Sequence, residues 1–286
     1  MTGPMIDPRY VAARRVLLNA LDALAKHRPA VILAGAQAIY VRTGAADLDV
    51  SVAPHTLDAD LALDSRILGS DPRLEQAMQE AGFHLANEPG TWIMQTTANG
   101  EPVHVPVDLL VPAVLAGRGR RAAELPDHGP KAARRTPGLE AALADHDDTL
   151  ISSLEPEVDA RTAVVPVAGA AALFVAKAHK LHERLDDMRA GRTHRLKPKD
   201  ASDVFRLMQA EPADRVGQRL REIASDEMAG ESVRAGVQHL QTLFGRESSP
   251  GVNLAAQALA GAIPEQRVRT LSRAYMAALT ASYQAG

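Results

Sequence analysis

Cysteine is missing from all 286 residues of the chain. Disulfides, thiolate zinc sites and thiol nucleophiles are therefore excluded, and the composition fits a cytoplasmic protein. Aromatic residues make up only 3%, which disfavours a platform on which the bases of a single strand stack. Long apolar runs are also lacking. The longest, near Ala163 to Ala176, is interrupted by Pro166 and Gly169 and is too short to span a bilayer. The first residues, MTGPMIDPRY, show no basic stretch leading into an apolar one, so no signal peptide is expected. Neither G-x-G-x-x-G nor G-x-x-x-x-G-K-[ST] occurs, which removes the Rossmann and P-loop phosphate sites. H-E-x-x-H and G-x-S-x-G do not occur either. A dominant charge sign is absent, since the net charge is −3. Near neutrality does not exclude a nucleic-acid partner, because a local patch matters more than the sum.

What is present centres on residues 31–64, VILAGAQAIYVRTG and then HTLDADLALD. Val31 to Leu33 reads as a strand, with a turn at Ala34-Gly35 and a short helix from about Ala36 to Val41. A Gly between strand and helix brings backbone N–H groups and a helix N-terminus toward an anion, typically phosphate. Leu57 to Leu63 reads as a second strand. Its alternation puts Asp58 and Asp60 on one face and Leu57, Ala59, Leu61 and Leu63 on the other. Two carboxylates so close repel unless a cation or a proton intervenes. Mg²⁺ suits such a pair because it shares its sites with substrate phosphates. Asp64 adds a further acid to this face, and Asp47 and Asp49 form a rival pair that periodicity does not exclude.

Elsewhere, Asp7-Pro8 opens an amphipathic helix over 8–26. A helix is expected over Pro72 to Ala81, and strands over His84 to Ala86, Trp92 to Thr97 and Val103 to Leu110. Asn99-Gly100 is a hairpin signal. Residues 116–137 read as a long exposed loop, and Gly138 to Ile151 has no clean period. Val164 to Val167 looks like a last strand, after which the pattern is helical, with Ala170 to Leu185 and Pro198 to Gln209 the clearest segments. The composition shift near residue 160 divides the chain into an α/β domain, 1–160, and a helical domain, 161–286. No membrane association is expected, and a monomer is expected rather than an oligomer.

Two more constellations carry charge. Asp108 sits in an otherwise apolar strand and needs a partner. Beside the Asp58 and Asp60 strand it would complete a three-carboxylate metal site; alternatively it caps a loop or pairs with an arginine. Lys177, Lys180 and Arg184 share a helix face, and Lys199, Asp200 and Asp203 follow a basic loop. A lysine here could meet a triphosphate, or Lys177 or Arg184 could simply pair with Asp200 or Asp203. His179 and His182 also share a helix face, but two histidines without further ligands make a poor zinc site.

The order strand-Gly-helix, T-x-D-x-D-L, a later strand Asp, a helix Lys and K-D-x-x-D resembles the AbiEii-type (MenT-like) nucleotidyltransferase toxins of the polymerase-β-like superfamily. The matching stretches are VILAGAQAIYVRTG, TLDADLAL, VPVDLLVP, VAGAAALFVAKAHKLHER and LKPKDASDVFRLM, within 31–209. The resemblance implies an α/β (α+β) nucleotidyltransferase-type mixed sheet flanked by helices, with a C-terminal helical bundle completing a bilobed cleft. It implies an Mg²⁺-dependent transferase moving NMP from an NTP to an acceptor hydroxyl, the 3′ end of tRNA, as the toxin of a toxin–antitoxin system with a cognate antitoxin protein as partner.

Residue by residue, the resemblance puts the metal pair on Asp58 and Asp60, the helix lysine on Lys177 and the following acid on Asp200. Asp108 or Asp200 would bind a second metal or take the hydroxyl proton. Gly35 takes the glycine of the phosphate turn. Ala36 departs from the usual Gly or Ser, leaving backbone N–H groups and Gln37 to serve the phosphates. Lys180, Arg184 and Lys199 join the substrate side. The basic residues Arg118, Arg120, Arg121, Lys131, Arg134 and Arg135, and those from Arg184 to Lys199, could hold an RNA backbone. Transfer to a small molecule or a protein side chain is the alternative, and Ala36 motivates a third reading, a degenerate nucleotide-binding or interaction protein.

Overall fold

A computed structural model describes residues 6–44, 56–192 and 196–285. Asp47, Asp49, His194 and Arg195 lie outside the described residues. The chain is a mixed α/β protein that separates into two compact units. The first takes in 6–41, 56–136 and 146–168; the second takes in 42–44, 137–145, 169–192 and 196–285. The chain thus alternates between them. The expected division at residue 160 falls just before a strand that belongs to the first unit. Among the described residues, no helix is long and apolar enough to cross a membrane.

The first unit opens on α1 (Pro8–Ala23), where Asp7 accepts a hydrogen bond from the Arg9 N–H at 2.8 Å and Pro8 occupies the first turn. The helix stops earlier than its apolar spacing predicts, because 25–30 tighten into a 3₁₀ turn containing Pro29. Then come β1 (Val31–Ala34), α2 (Gly35–Thr43), β2 (Ala59–Leu63), α3 (Leu74–Glu80), β3 (His84–Leu85), β4 (Thr91–Ala98), β5 (Glu101–Pro112), β6 (Arg134–Thr136), β7 (His146–Ser152) and β8 (Thr162–Ala168). The sheet runs β3-β4-β5-β2-β1-β8-β7, with β6 added beside β5. β2 is antiparallel to β1 and parallel to β5. Asn99 and Gly100, both at positive φ, close the β4–β5 hairpin as their sequence predicts.

Two stretches differ from expectation. Residues 116–137 are not simply an exposed loop: Ala122 bridges to Arg134, β6 forms, and Ala123, Ala132 and Ala133 are buried. Residues 138–151 contain β7, an edge strand whose side chains are mostly exposed. With so little of it buried, HDDTLIS shows no apolar alternation.

The second unit consists mainly of α4 (Ala170–Arg189), α5 (Pro198–Ala210), α6 (Ala213–Ile223), α7 (Gly230–Phe244), α8 (Pro250–Ala258) and α9 (Glu265–Gln284). Gly236 of α7 leaves room for Val175 of α4. Phe174 stacks on Tyr275 with centroids 5.7 Å apart. Further along α4, His182 stacks on His239 of α7 at 3.8 Å, and His179 meets the same ring edge-on at 5.0 Å.

Candidate functional site

In the first unit, Gly35 begins α2 at φ +64. A Cβ there would collide with the Asp60 carboxylate. Glycine is thus needed twice over, for the left-handed backbone and for the close approach. Asp60 lies opposite Ala34 on one side and in register with Asp108 of β5 on the other. Residues paired in register on neighbouring strands share a face of the sheet, so β2 and β5 present Asp60 and Asp108 together. Asp58, just before β2, is half-exposed, and its carboxylate accepts a hydrogen bond from the buried Thr56 hydroxyl.

Asp108 is not placed as a third metal ligand. Its Oδ1 accepts from the Thr91 hydroxyl at 2.6 Å and its Oδ2 from the Arg134 guanidinium at 2.7 Å. Among the described residues, no group of three or more acidic or histidine side chains is gathered to hold a metal. The arginine-pairing alternative for Asp108 is the one observed. Arg134 reaches Glu88 as well, at 3.5 Å. Asp64 is likewise engaged: burial pushes its pKa up, but hydrogen bonds from the Arg66 side chain and backbone outweigh this and hold it low.

Gln37 is not turned toward a ligand either. It is 1% exposed. Its Oε1 accepts from Arg14 Nε at 3.0 Å, and its Nε2 donates to the carbonyls of Ala13, 3.1 Å, and Asp58, 3.3 Å. Ala36 is 5% exposed, so its methyl group packs inside rather than lining a surface. Of the expected phosphate turn, Gly35 and the backbone of the first turn of α2 remain.

In the second unit, Lys177 Nζ donates to Asp200 Oδ1 and Asp203 Oδ2, both at 2.7 Å. All three side chains are at most 7% exposed. Burial alone would lower the Lys177 pKa, but attraction to Asp200 and Asp203 overrides it and holds the ammonium well above its ordinary value. Burial would raise Asp200, but Lys177 and Lys180 hold it well below the usual carboxylate range. Lys180 reaches Asp200 at 3.1 Å and Lys199 reaches Asp203 at 3.1 Å, and both lysines keep a third or more of their side chain exposed. Arg184 lies half-buried further along α4. The pairing of Lys177 with an aspartate is the plainer of the two roles that its sequence allows.

On the 116–137 segment, Arg118, Arg120 and Lys131 are exposed, and none of them forms an ion pair among the described residues. Arg121 pairs with Glu88 at 3.7 Å, and Arg135 donates to the carbonyls of Gly117 and Gly119 at 3.4 Å. Sequence reasoning missed Arg14, Thr91 and the Arg134–Asp108 pair. Arg14 did leave a signal, a charge at helical spacing from Tyr10, Leu17 and Leu18 on the apolar stripe of α1. No family model matches the chain, and no curated protein matches it.

Proposed function

We propose that the protein is a nucleotidyltransferase that moves NMP from an NTP to an acceptor hydroxyl. The observation that carries this reading is the Asp60 carboxylate lodged against the positive-φ Gly35 at the start of α2, two residues after Asp58. A helix N-terminus attracts phosphate, and an acid pair beside it repels phosphate unless a cation lies between them. Together they call for a metal-bound nucleotide.

The donor set fits Mg²⁺, which takes one or two protein carboxylates and completes its shell with water and substrate phosphates. Asp58 and Asp60 would hold the ion, and Asp108, already satisfied by Thr91 and Arg134, would support Asp60 from the neighbouring strand. The bound ion would neutralise charge on the triphosphate. Gly35 lets the chain approach closely, and the N–H groups of the first turn of α2 take phosphate oxygens. The acceptor oxygen bonds to the α-phosphorus as the bond to the bridging oxygen breaks. Pyrophosphate leaves, and the hydroxyl proton passes to a carboxylate. Alignment and charge neutralisation supply most of the acceleration in such transfers.

The reading keeps Lys177 and Asp200 as residues of the reaction. Lys177 would fix the charge at Asp200, and Lys180 and Lys199 keep a third or more of their side chains exposed. Exposed Arg118, Arg120 and Lys131 suit an acceptor with a phosphate backbone; the 3′ end of tRNA and a toxin's action on it are what the resemblance to the AbiEii-type toxins adds. One observation favours the second reading, a nucleotide-binding protein without catalysis: Asp108 and Lys177 are both already matched by counter-charges.

The test incubates the protein with each labelled NTP, Mg²⁺ and total tRNA, alongside a mixture of small-molecule and protein acceptors. Asp60→Asn should reduce transfer at least about a thousandfold, since it removes charge where the transition state needs it. NTP binding without transfer to any acceptor would move the reading to the non-catalytic one. Transfer that survives Asp60→Asn would sink the site assignment.

A further inference from the structure

We propose that Arg14, acting through Gln37, is the positioning group for the Asp58 end of β2 and so for the carboxylate pair; its functional meaning rests on the reading of that pair given above. Arg14 is 5% exposed. Its partners are all neutral: Gln37 Oε1 at 3.0 Å, the Ser152 carbonyl at 3.0 Å and the Tyr10 hydroxyl at 2.8 Å. Among the described residues, no carboxylate forms an ion pair with it. Burying a guanidinium without a counter-charge is costly. Methionine or leucine would fill the same space without that cost, so packing alone does not account for an arginine.

What an apolar side chain cannot do is orient an amide. Arginine has donors and no acceptor, so only the Oε1 of Gln37 can face it. That choice fixes the Gln37 NH₂ on the other side, where it donates to the carbonyls of Ala13 and Asp58. Gln37 lies in the same helical turn as Gly35, against which Asp60 packs. Through one oriented amide, α1, the first turn of α2 and the residue leading into β2 are tied together. Both carboxylates are then referenced to the helix N-terminus that the phosphates would meet. The Arg14 charge sets the direction of the amide, and the amide sets the position of Asp58.

Two full-length variants test this. Arg14→Met removes the orienting donors. Gln37→Glu keeps an acceptor for Arg14 and gives it a counter-charge, so the fold is retained, but it removes the NH₂ that holds Asp58. Hydrogen exchange is followed by residue in both, with Mn²⁺ affinity measured by electron paramagnetic resonance in the same samples and in Asp60→Asn. We expect exchange at 58–61 to rise about tenfold in both variants while the β4–β5 hairpin keeps its protection, and Mn²⁺ affinity to fall with it. Wild-type exchange at 58–61 in Gln37→Glu, or a rise spread evenly over the sheet, would overturn the positioning role. Mn²⁺ binding that is absent from the wild type, or unaffected by Asp60→Asn, would sink the metal-site reading instead, and the exchange result still decides the role of Arg14.

Discussion

Lys177 shows how much stability a single buried charge can carry. Its ammonium sits between Asp200 and Asp203 in a setting that excludes water. Lys180 and Lys199 meet the same carboxylates from more exposed positions, and Lys177 is the counter-charge buried with them. Replacing one partner of a buried ion pair typically costs about 3–5 kcal/mol, because the remaining charge is left uncompensated. Lys177→Met should therefore lower the free energy of unfolding by that amount in urea denaturation. Lys180→Met, at a half-exposed position, should cost less than about 1 kcal/mol. Equal losses for the two would show that the buried triad does not dominate. At this scale the sequence offers Lys177 with Asp200 or Asp203, which is the pairing found, but not the particular arginine that meets Asp108. Asp108 and Arg134 are 26 residues apart, and nothing in their local context matches one to the other. Alternation offers Asp58 and Asp60 as a same-face pair but leaves Asp47 and Asp49 as rivals, and Asp58 lies just before β2 rather than within it.

Among the elements, the contact between α4 and α7 carries a pH dependence. His239 is pushed down to about 4, first by burial and then by its neighbours His182 and His179, with Asp186 opposing. The folded protein thus holds His239 neutral where the unfolded chain, near 6.5, already takes a proton. Stability from this group is fully present above about pH 6.5 and is lost as the pH falls toward 4. Partial exposure of the ring screens the effect, leaving on the order of 1 kcal/mol, or about 2–4 °C in melting temperature for a chain of this size. Melting His239→Gln beside the wild type from pH 7.5 to 4 should show a flatter profile in the variant; parallel profiles would remove His239 as the cause. Element identity was easier to read than element partnership. The helices of the second unit follow their apolar spacing, and the β4–β5 hairpin follows Asn99-Gly100. β7 was hidden because an exposed edge strand has no apolar face to display. The sequence offers the Asp108 strand as a neighbour of the Asp58 and Asp60 strand, and β5 does pair with β2; its parallel sense leaves no local signal.

For the whole molecule, the path of the chain matters more than its composition. β8 joins β1 to β7 in the sheet. A fragment ending at residue 160 lacks that strand and leaves β7 with no neighbour. It should show no cooperative melt by circular dichroism, whereas the complete chain should; a cooperative transition in the fragment would mean that the remaining strands suffice. The helical unit is incomplete in the same way if it starts after residue 160. Glu140, in the 137–145 segment, accepts from Ser232 of α7 and from the Gly138 N–H, and Asp145 accepts from Arg219 of α6. A composition shift marks where the helices begin but not which earlier residues they recruit. The alternation of the chain between the two units also has a genetic consequence. Every single breakpoint in the coding sequence strands part of one unit with the other. A single crossover between two such genes would leave each product with a unit assembled from both parents.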